Sequence, residues 1–580
     1  MKQLTKLMTL LLALAMLFSL AACDQQTNDP TKPAATTAKP AETTAPTTAP
    51  EETQPAMGLL DPYPETVTIS CSRVLNGISS YPEGVTNDNT AYVTYIKDAL
   101  NIQCTTAFEA LSGEDYDRQV SLCIASEEMP DMLVIRGNGN GNGLSFLQEL
   151  VDNDLIMDLT ELYETWGSET MKNNYASYGD AVLGMATIDG KLWALPYCAG
   201  MFYPMVWVRQ DWVEELNLTL DADGNEIITR EELVDLAKAF MAADLGKTGN
   251  PVGLSMHSVS THGQMDILTD SFGAYTLRYL RGEDGTVTHG STQPEMKEAL
   301  AWMAGLYDEG VLDPQFGVRT SDDIGEMLIN GQLGIYFGNW ASCPSAGVYE
   351  MDPSAHFKCY NIDNGSGQVN FPAPLSTADR YLVISKDCEN PEAIFKILEL
   401  VNFDWGTHSL AEKEALCPDL VAQQAAGISS HARPIGTDIM HAQFSYNNQV
   451  KPALDYYETG STDYPNFDPA SNSYYKALVA WKNDPQNMES AQWTTYHTRF
   501  EAALHAHNLE ASGSYNMAYP LYALTDTMQS NPVDLQGMME EYFIKIIVGE
   551  LPIDAFDEYV TQRNAQGDAD ICAELAEMYN

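Results

Sequence analysis

Six oxygen-bearing positions stand at the spacing of a divalent-cation loop in "DADGNEIITREE" (221–232). Asp221, Asp223, Asn225, Ile227 (through its carbonyl), Thr229 and Glu232 occupy positions 1, 3, 5, 7, 9 and 12, where hard oxygen ligands would surround calcium. Position 6 carries Glu226 instead of the glycine that the sharp turn favours. The same residues also read as a polar turn followed by a capping box from Thr229 to Glu232 that opens the helix "REELVDLAKAF". The turn is the favoured reading, so no cofactor is expected and calcium, with Asp221, Asp223, Asn225 and Glu232 as its weak candidate ligands, is not.

Other chemistry is sparse. The chain contains no H-E-x-x-H, G-x-S-x-G or Walker-type glycine loop, and its ten histidines have no metal-ligand spacing. With 81 Asp and Glu, carboxylate pairs occur everywhere and single out no acid–base couple. "RGNGNGNG" (136–143) follows a predicted strand, where open α/β sheets meet ligands, yet departs from the G-x-G-x-x-G spacing; a surface loop and a ligand-lining loop both fit it. No catalytic residue is assigned.

Aromatic rings supply the stronger signal. "DGKLWALPYCAGMFYPMVWVRQDW" (189–212) packs Trp193, Tyr197, Phe202, Tyr203, Trp207 and Trp212 into one stretch, as either a buried strand or the wall of a cleft. Alternate residues of a strand face opposite ways, so some of these rings must be core. Trp193 and Tyr197 flank Pro196 in irregular chain, and Trp340 ends the strand "GIYFGNW"; these three are the expected cleft rings. Trp207, inside an apolar strand, and Trp302, on a helix's periodic face, are expected in the core. Arg73, Arg136, Arg209 and Arg380 stand near predicted strand ends, where one could clamp a carboxylate with two parallel hydrogen bonds.

The elements that must hold these residues alternate from about residue 65. "TVTIS" (66–70) and "PDMLVIR" (130–136) read as strands and "TAYVTYIKDAL" (90–100) as a helix, the pattern of an α/β sheet with helices on its faces. Asn390 with Pro391, Ser321 or Asp322 with Gly331, and Pro294 with Gly310 mark the ends of later helices. Residues 59–580 exceed one ordinary domain and imply two or more lobes. The net charge of −51 repels nucleic acid and anionic membrane surfaces, which excludes both as partners. The ten cysteines show no C-x-x-C pair, so buried thiols are expected rather than a disulfide framework.

The amino-terminal end reads as a sorting signal. Lys2 and Lys6 precede the short apolar run "LMTLLLALAMLF" and then "LAAC", which resembles the lipobox of bacterial lipoproteins. On that reading residues 1–22 are a signal peptide and Cys23 takes a diacylglycerol anchor. The Thr/Ala/Pro-rich residues 23–60 are then a tether too poor in apolar side chains to fold.

"DGKLWALP" (189–196), "VWVRQDWVEEL" (206–216), "YDEGVLDPQF" (307–316) with "NGQLGIYFGNW" (330–340), and "FIKIIVGELPIDAFDEYV" (543–560) with the terminal "EMYN" resemble, in that order, family 1 extracellular solute-binding proteins of ABC sugar importers. Many relatives carry an acidic loop where "ADLGKTGNPVG" (243–253) has a single acid. The resemblance implies a two-lobed, type II periplasmic-binding-protein-like α/β fold with hinge-crossing strands and a helical C-terminal region. It implies lobe one over 61–205, the main part of lobe two over 206–375, a return to lobe one with helical insertions over 376–520, and C-terminal helices over 521–580 on lobe two. It further implies a monomer that binds a carbohydrate, an oligosaccharide or a uronic one, between its lobes at Trp193, Tyr197, Trp340, Arg73, Arg136 and Arg380. ABC permease subunits would be its partner, with a lipid anchor on the outer face of a Gram-positive membrane and no enzymatic step. Two other classes share these features: an anchored polysaccharide-degrading enzyme and a peptide receptor of the same architecture.

Overall fold

A computed structural model describes residues 57–74, 83–110, 113–136, 142–198, 200, 204–259, 264–339, 346–372, 380–425, 440–460, 469–521 and 523–579. Two open sheets organise them. The first contains β1 (Val67–Val74), β2 (Ile102–Ala110), β3 (Met132–Arg136), β4 (Leu195–Pro196) and β10 (Arg380–Ile384) in the order β2-β1-β3-β10-β4. The second contains β5 (Met205–Arg209), β6 (Ile227–Ile228), β7 (Ile335–Gly338) and β8 (Phe357–Ile362) in the order β7-β5-β8-β6. A further parallel pair joins β9 (Val369–Pro372) to β11 (Tyr515–Ala518).

Strand residues here are apolar without alternation because helices cover both faces of each sheet. Met132, Leu133, Val134 and Ile135 of β3 and Tyr381, Leu382, Val383 and Ile384 of β10 are all buried in one core with the helix Ala91–Leu100. That helix starts where the Thr90 hydroxyl accepts from the Val93 N–H, and ends where Asn101 turns left-handed at φ 57°. In the second sheet, successive residues of β5 divide between two cores. Val206 and Val208 pack with the helices Arg230–Ala243, Pro294–Asp308 and Leu535–Ile547. Met205 and Trp207 pack with Ser321–Ile329, Pro469–Asn483 and Ala502–Ser512. The second lobe is therefore a sheet between two helical layers. Cys71, Cys104, Cys198, Cys359 and Cys388 are buried thiols.

The stretch 376–520 is shared between the lobes. Tyr381 to Met440 contribute to the first core, whereas Val450 to Leu509 pack behind Trp207 on the second sheet. The amphipathic faces of these later helices identify an interior side, and only the fold selects the sheet they cover. Of the C-terminal helices, Leu535–Ile547 and Ala555–Arg563 join the second core through Phe543, Ile547, Phe556 and Tyr559. The helix Ser321–Ile329 starts at Ser321 as expected, with Thr320 closing a capping box with Asp323, whereas Pro391 rather than Asn390 occupies the cap position of Glu392–Leu398.

Candidate functional site

The chain leaves the first sheet after Pro196 and enters the second at Met205; it leaves the second region after Pro372 and re-enters the first at Arg380. These connections define which edges face each other. In the first sheet β1, β2 and β3 are parallel and β10 runs against β3, so the carboxyl ends of β1 and β3 share an edge with the start of β10. In the second sheet Gly338 at the end of β7 lies opposite Met205, and Tyr360 of β8 lies opposite Val206. Open α/β sheets meet ligands at such carboxyl edges.

Three of the expected residues meet on the first edge. Arg136, the last residue of β3, is the register partner of Arg380, the first of β10. Residues directly opposite on neighbouring strands share a face, so both guanidinium groups stand on one side of the sheet. The Tyr197 N–H donates to the Arg380 carbonyl at 2.9 Å, and the Arg380 guanidinium stands 5.3 Å above the Tyr197 ring. Arg136 Nε is 3.8 Å from Asp117 Oδ1. Like charges in register repel, and Asp117 offsets one of them. Arg73, one residue from the end of β1, is only 1% exposed, which places its guanidinium beneath this edge.

The remaining expected residues are placed differently. Trp193 packs partly buried on the first core, its Nε1–H donating to the Ile188 carbonyl at 3.2 Å and Lys191 lying over its ring. Trp340, Cys23, the signal segment, the tether up to residue 56, and most of the glycine-rich loop lie outside the described residues. Arg209 stands at the opposite end of β5, buried and paired with Asp211 at 2.6 Å and Asp352 at 2.5 Å; that geometry holds the strand end rather than a ligand. Trp207 is fully buried, while Trp302 is only partly so, against Phe272 at 5.7 Å.

A third passage between the lobes escaped sequence reading. Met440 bridges Cys198, the His441 N–H donates to the Cys198 carbonyl at 3.0 Å, and the Tyr178 hydroxyl donates to the His441 carbonyl at 3.1 Å. Phe444 then meets Tyr515, which stacks on Phe371 at 5.6 Å, and Met517 touches the cores of both lobes. "MHAQF" (440–444) has neither helical nor strand periodicity, so no local signal announces this role.

The candidate ligands of the loop 221–232 are engaged in hydrogen bonds within the loop. Asp221 accepts from the backbone N–H groups of Asn225 and Glu226, each at 2.9 Å. Asn225 Oδ1 accepts from the Ile227 N–H, its Nδ2 donates to Asp223, and Glu232 accepts from the Thr229 N–H and hydroxyl. Glu226 takes the left-handed turn position at φ 64° and turns its carboxylate to His505 at 3.0 Å. Burial alone would raise that carboxyl; the His505 hydrogen bond and charge, with Lys358 and Asn508, outweigh it and hold the pKa at about 2. In the loop 243–253 the Asp244 carboxylate likewise accepts from the N–H groups of Thr248 and Gly249. Among the described residues no three His, Cys, Asp or Glu side chains converge as a metal site requires. As hydrogen-bonded here, the donor set forms a turn and a capping box. Chelation with EDTA should leave the melting temperature unchanged; a fall of several degrees that calcium reverses, and that Asp221→Ala abolishes, would overturn this.

No described helix is long and apolar enough to cross a membrane. Over 181 residues the chain is 27% identical to the polygalacturonan/rhamnogalacturonan-binding protein YtcQ of Bacillus subtilis (strain 168), covering 31% of this chain and 35% of that protein. Over 246 residues it is 22% identical to the lipoprotein LipO of the same strain, covering 41% of this chain and 45% of that protein. It therefore spans less than half the length of these curated relatives. The fold matches an HMO-binding, ABC-transporter-associated solute-binding protein from Bifidobacterium longum infantis ATCC 15697, with a TM-score of 0.54, 13% identity, and coverage of 89% of this chain and 98% of the other. That match supports the two-lobed architecture. Residues 104–393, half of the chain, match the family model described as bacterial extracellular solute-binding protein, and the chain belongs to that family.

Proposed function

We propose that this protein captures an acidic oligosaccharide between its lobes and delivers it to the permease subunits of an ABC importer, as a monomer held on the outer membrane face by an acylated Cys23. The observation that carries the reading is the in-register pair Arg136 and Arg380 beside the Tyr197 ring at the cleft-facing edge. In a chain of net charge −51, two cations placed side by side need a local anion, and among the described residues Asp117 stands against only one of them. A uronate carboxylate would complete the balance through charge-assisted hydrogen bonds while a sugar face lies on the ring. YtcQ, whose name specifies an acidic polysaccharide, supports the same chemistry. Ligand contacts made from both lobes favour the closed form, and closure is the shape a permease can recognise. Nothing in this step makes or breaks a bond.

The test compares trigalacturonate with kestose, a neutral trisaccharide, by titration calorimetry. Arg380→Leu should weaken trigalacturonate binding by about 1.5–3 kcal/mol, the worth of a hydrogen bond to a charged group. Kestose, if bound at all, should lose far less. Equal losses for both sugars would refute the uronate clamp, and a wild-type protein that binds neither would refute the carbohydrate reading. Anchoring has its own check: Cys23→Ser should move the protein out of the membrane fraction, since two acyl chains hold where one is marginal. Unchanged fractionation would remove the anchor from the proposal.

A further inference from the structure

Asp270 closes the helix Met265–Asp270 and is 4% exposed, yet its Oδ1 has no hydrogen-bond partner among the described residues. Such an arrangement is costly, because a buried polar atom without a partner forfeits its hydration. The carboxyl lines a small pocket together with Ser271, Asn361 and Asn370, walled on the apolar side by Pro204 and Phe371. Pro204 immediately precedes β5, Phe371 is in β9, and Asn361 is near the end of β8. The pocket therefore lies where the chain enters the second sheet at Pro204 and near where it leaves the second region after Pro372.

Most of its other polar atoms are already engaged. Asn361 donates to the Pro204 carbonyl at 2.9 Å and its Oδ1 meets His505 Nε2 at 2.6 Å. The Ser271 hydroxyl donates to the Leu268 carbonyl. Asn370 Oδ1 accepts from Asn364 and Asn516, which leaves its Nδ2 on the side of Gly273; a Cβ on that glycine would stand 3.6 Å away. Among the described lining side chains, the Asp270 carboxyl and the Asn370 amide remain to meet a ligand.

We propose that this pocket is a subsite for a single hydroxyl of the carbohydrate ligand, with Asp270 as the principal contact and Asn370 as the second. The proposal rests on the carbohydrate reading above and names a specificity-determining residue within it. Burial, and then the neighbouring Asp266 charge, push the Asp270 carboxyl well above the usual carboxylate range, with Arg278 opposing them. In its protonated form Asp270 offers one O–H donor and one carbonyl acceptor. A sugar hydroxyl, itself donor and acceptor, matches both. The neutral acid also spares an acidic ligand the repulsion that a carboxylate would impose. The pocket's small size admits a hydroxyl and excludes a ring.

Calorimetric titration of trigalacturonate and kestose, with apo melting curves, tests the subsite. Asp270→Ala should weaken the sugar that wild type binds by about tenfold or more. Its apo melting temperature should hold or rise, because an unpaired buried carboxyl has been removed. Asp270→Asn retains a donor and an acceptor and should bind within about threefold of wild type. Wild-type affinity in Asp270→Ala overturns the proposal, as does early melting with a folded fraction that binds normally. If Asp270→Ala does not fold, Asn370→Ala decides: about fivefold weaker binding supports the subsite, and unchanged affinity ends it. Wild type binding neither sugar is the separate failure of the carbohydrate reading, and it removes the subsite too.

Discussion

Replacing Trp493 by alanine should cost about 3–5 kcal/mol of folding stability, the usual penalty for deleting a fully enclosed large aromatic side chain. Trp493 is 0% exposed on the helix Ser490–Thr495, stacks on Tyr349 at 5.3 Å and meets the Phe357 ring of β8 edge-on at 6.4 Å. Its Nε1–H donates to the Ala355 carbonyl at 3.2 Å, so truncation opens a cavity and also strands an acceptor. The damage should fall on the second lobe, because every one of these partners belongs to it. Urea unfolding followed by far-UV circular dichroism measures the loss without relying on tryptophan emission. A cost below about 1 kcal/mol would mean that this helical layer does not close the second core as described.

Asp568→Ala should be comparably severe, about 3–5 kcal/mol, for an electrostatic reason. Arg563 Nη2 lies 3.0 Å from Asp568 Oδ1, with side chains 4% and 1% exposed. The Tyr279 hydroxyl donates to the same oxygen at 2.8 Å, and Arg563 Nη1 donates to the Leu535 carbonyl at 2.8 Å. These contacts hold the kink at Gln566 and Gly567, where the chain turns from the helix Ala555–Arg563 into Ala569–Met578. Gly567 adopts φ 117° there, a conformation that side chains resist. Removing Asp568 leaves a guanidinium buried without its counter-ion, which costs more than the pair contributes. The double variant Arg563→Met with Asp568→Leu should recover most of the loss, since apolar residues of similar volume can replace a buried pair. A double variant less stable than Asp568→Ala would show that the pair's geometry, not charge burial, governs this kink.

What the chain encodes locally was legible before any coordinates. The Thr229 to Glu232 capping box, the proline-opened helix at Pro294 and the buried strands around Leu133 and Val383 depend on contacts within a few residues or on uniform burial. Such signals survive in sequence because the hydrogen bonds and faces they describe are short-range. The alternation of β5 was equally readable: once Val206 to Val208 form a strand, Trp207 must face away from its neighbours. Tertiary structure decided everything that needed a partner from afar. Arg136 and Arg380 become neighbours only because β10 returns, after the whole second sheet, antiparallel to β3. Arg209, chemically identical and also at a strand end, was carried to the opposite edge and spent on Asp211 and Asp352. The helices of 450–509 bury one face, and which sheet that face covers depends on the direction in which residues 440–444 cross between lobes. Asp270 shows the same limit: a lone acid in a chain full of acids, distinguished only when Pro204, Asn370 and Phe371, distant in sequence, fold around it.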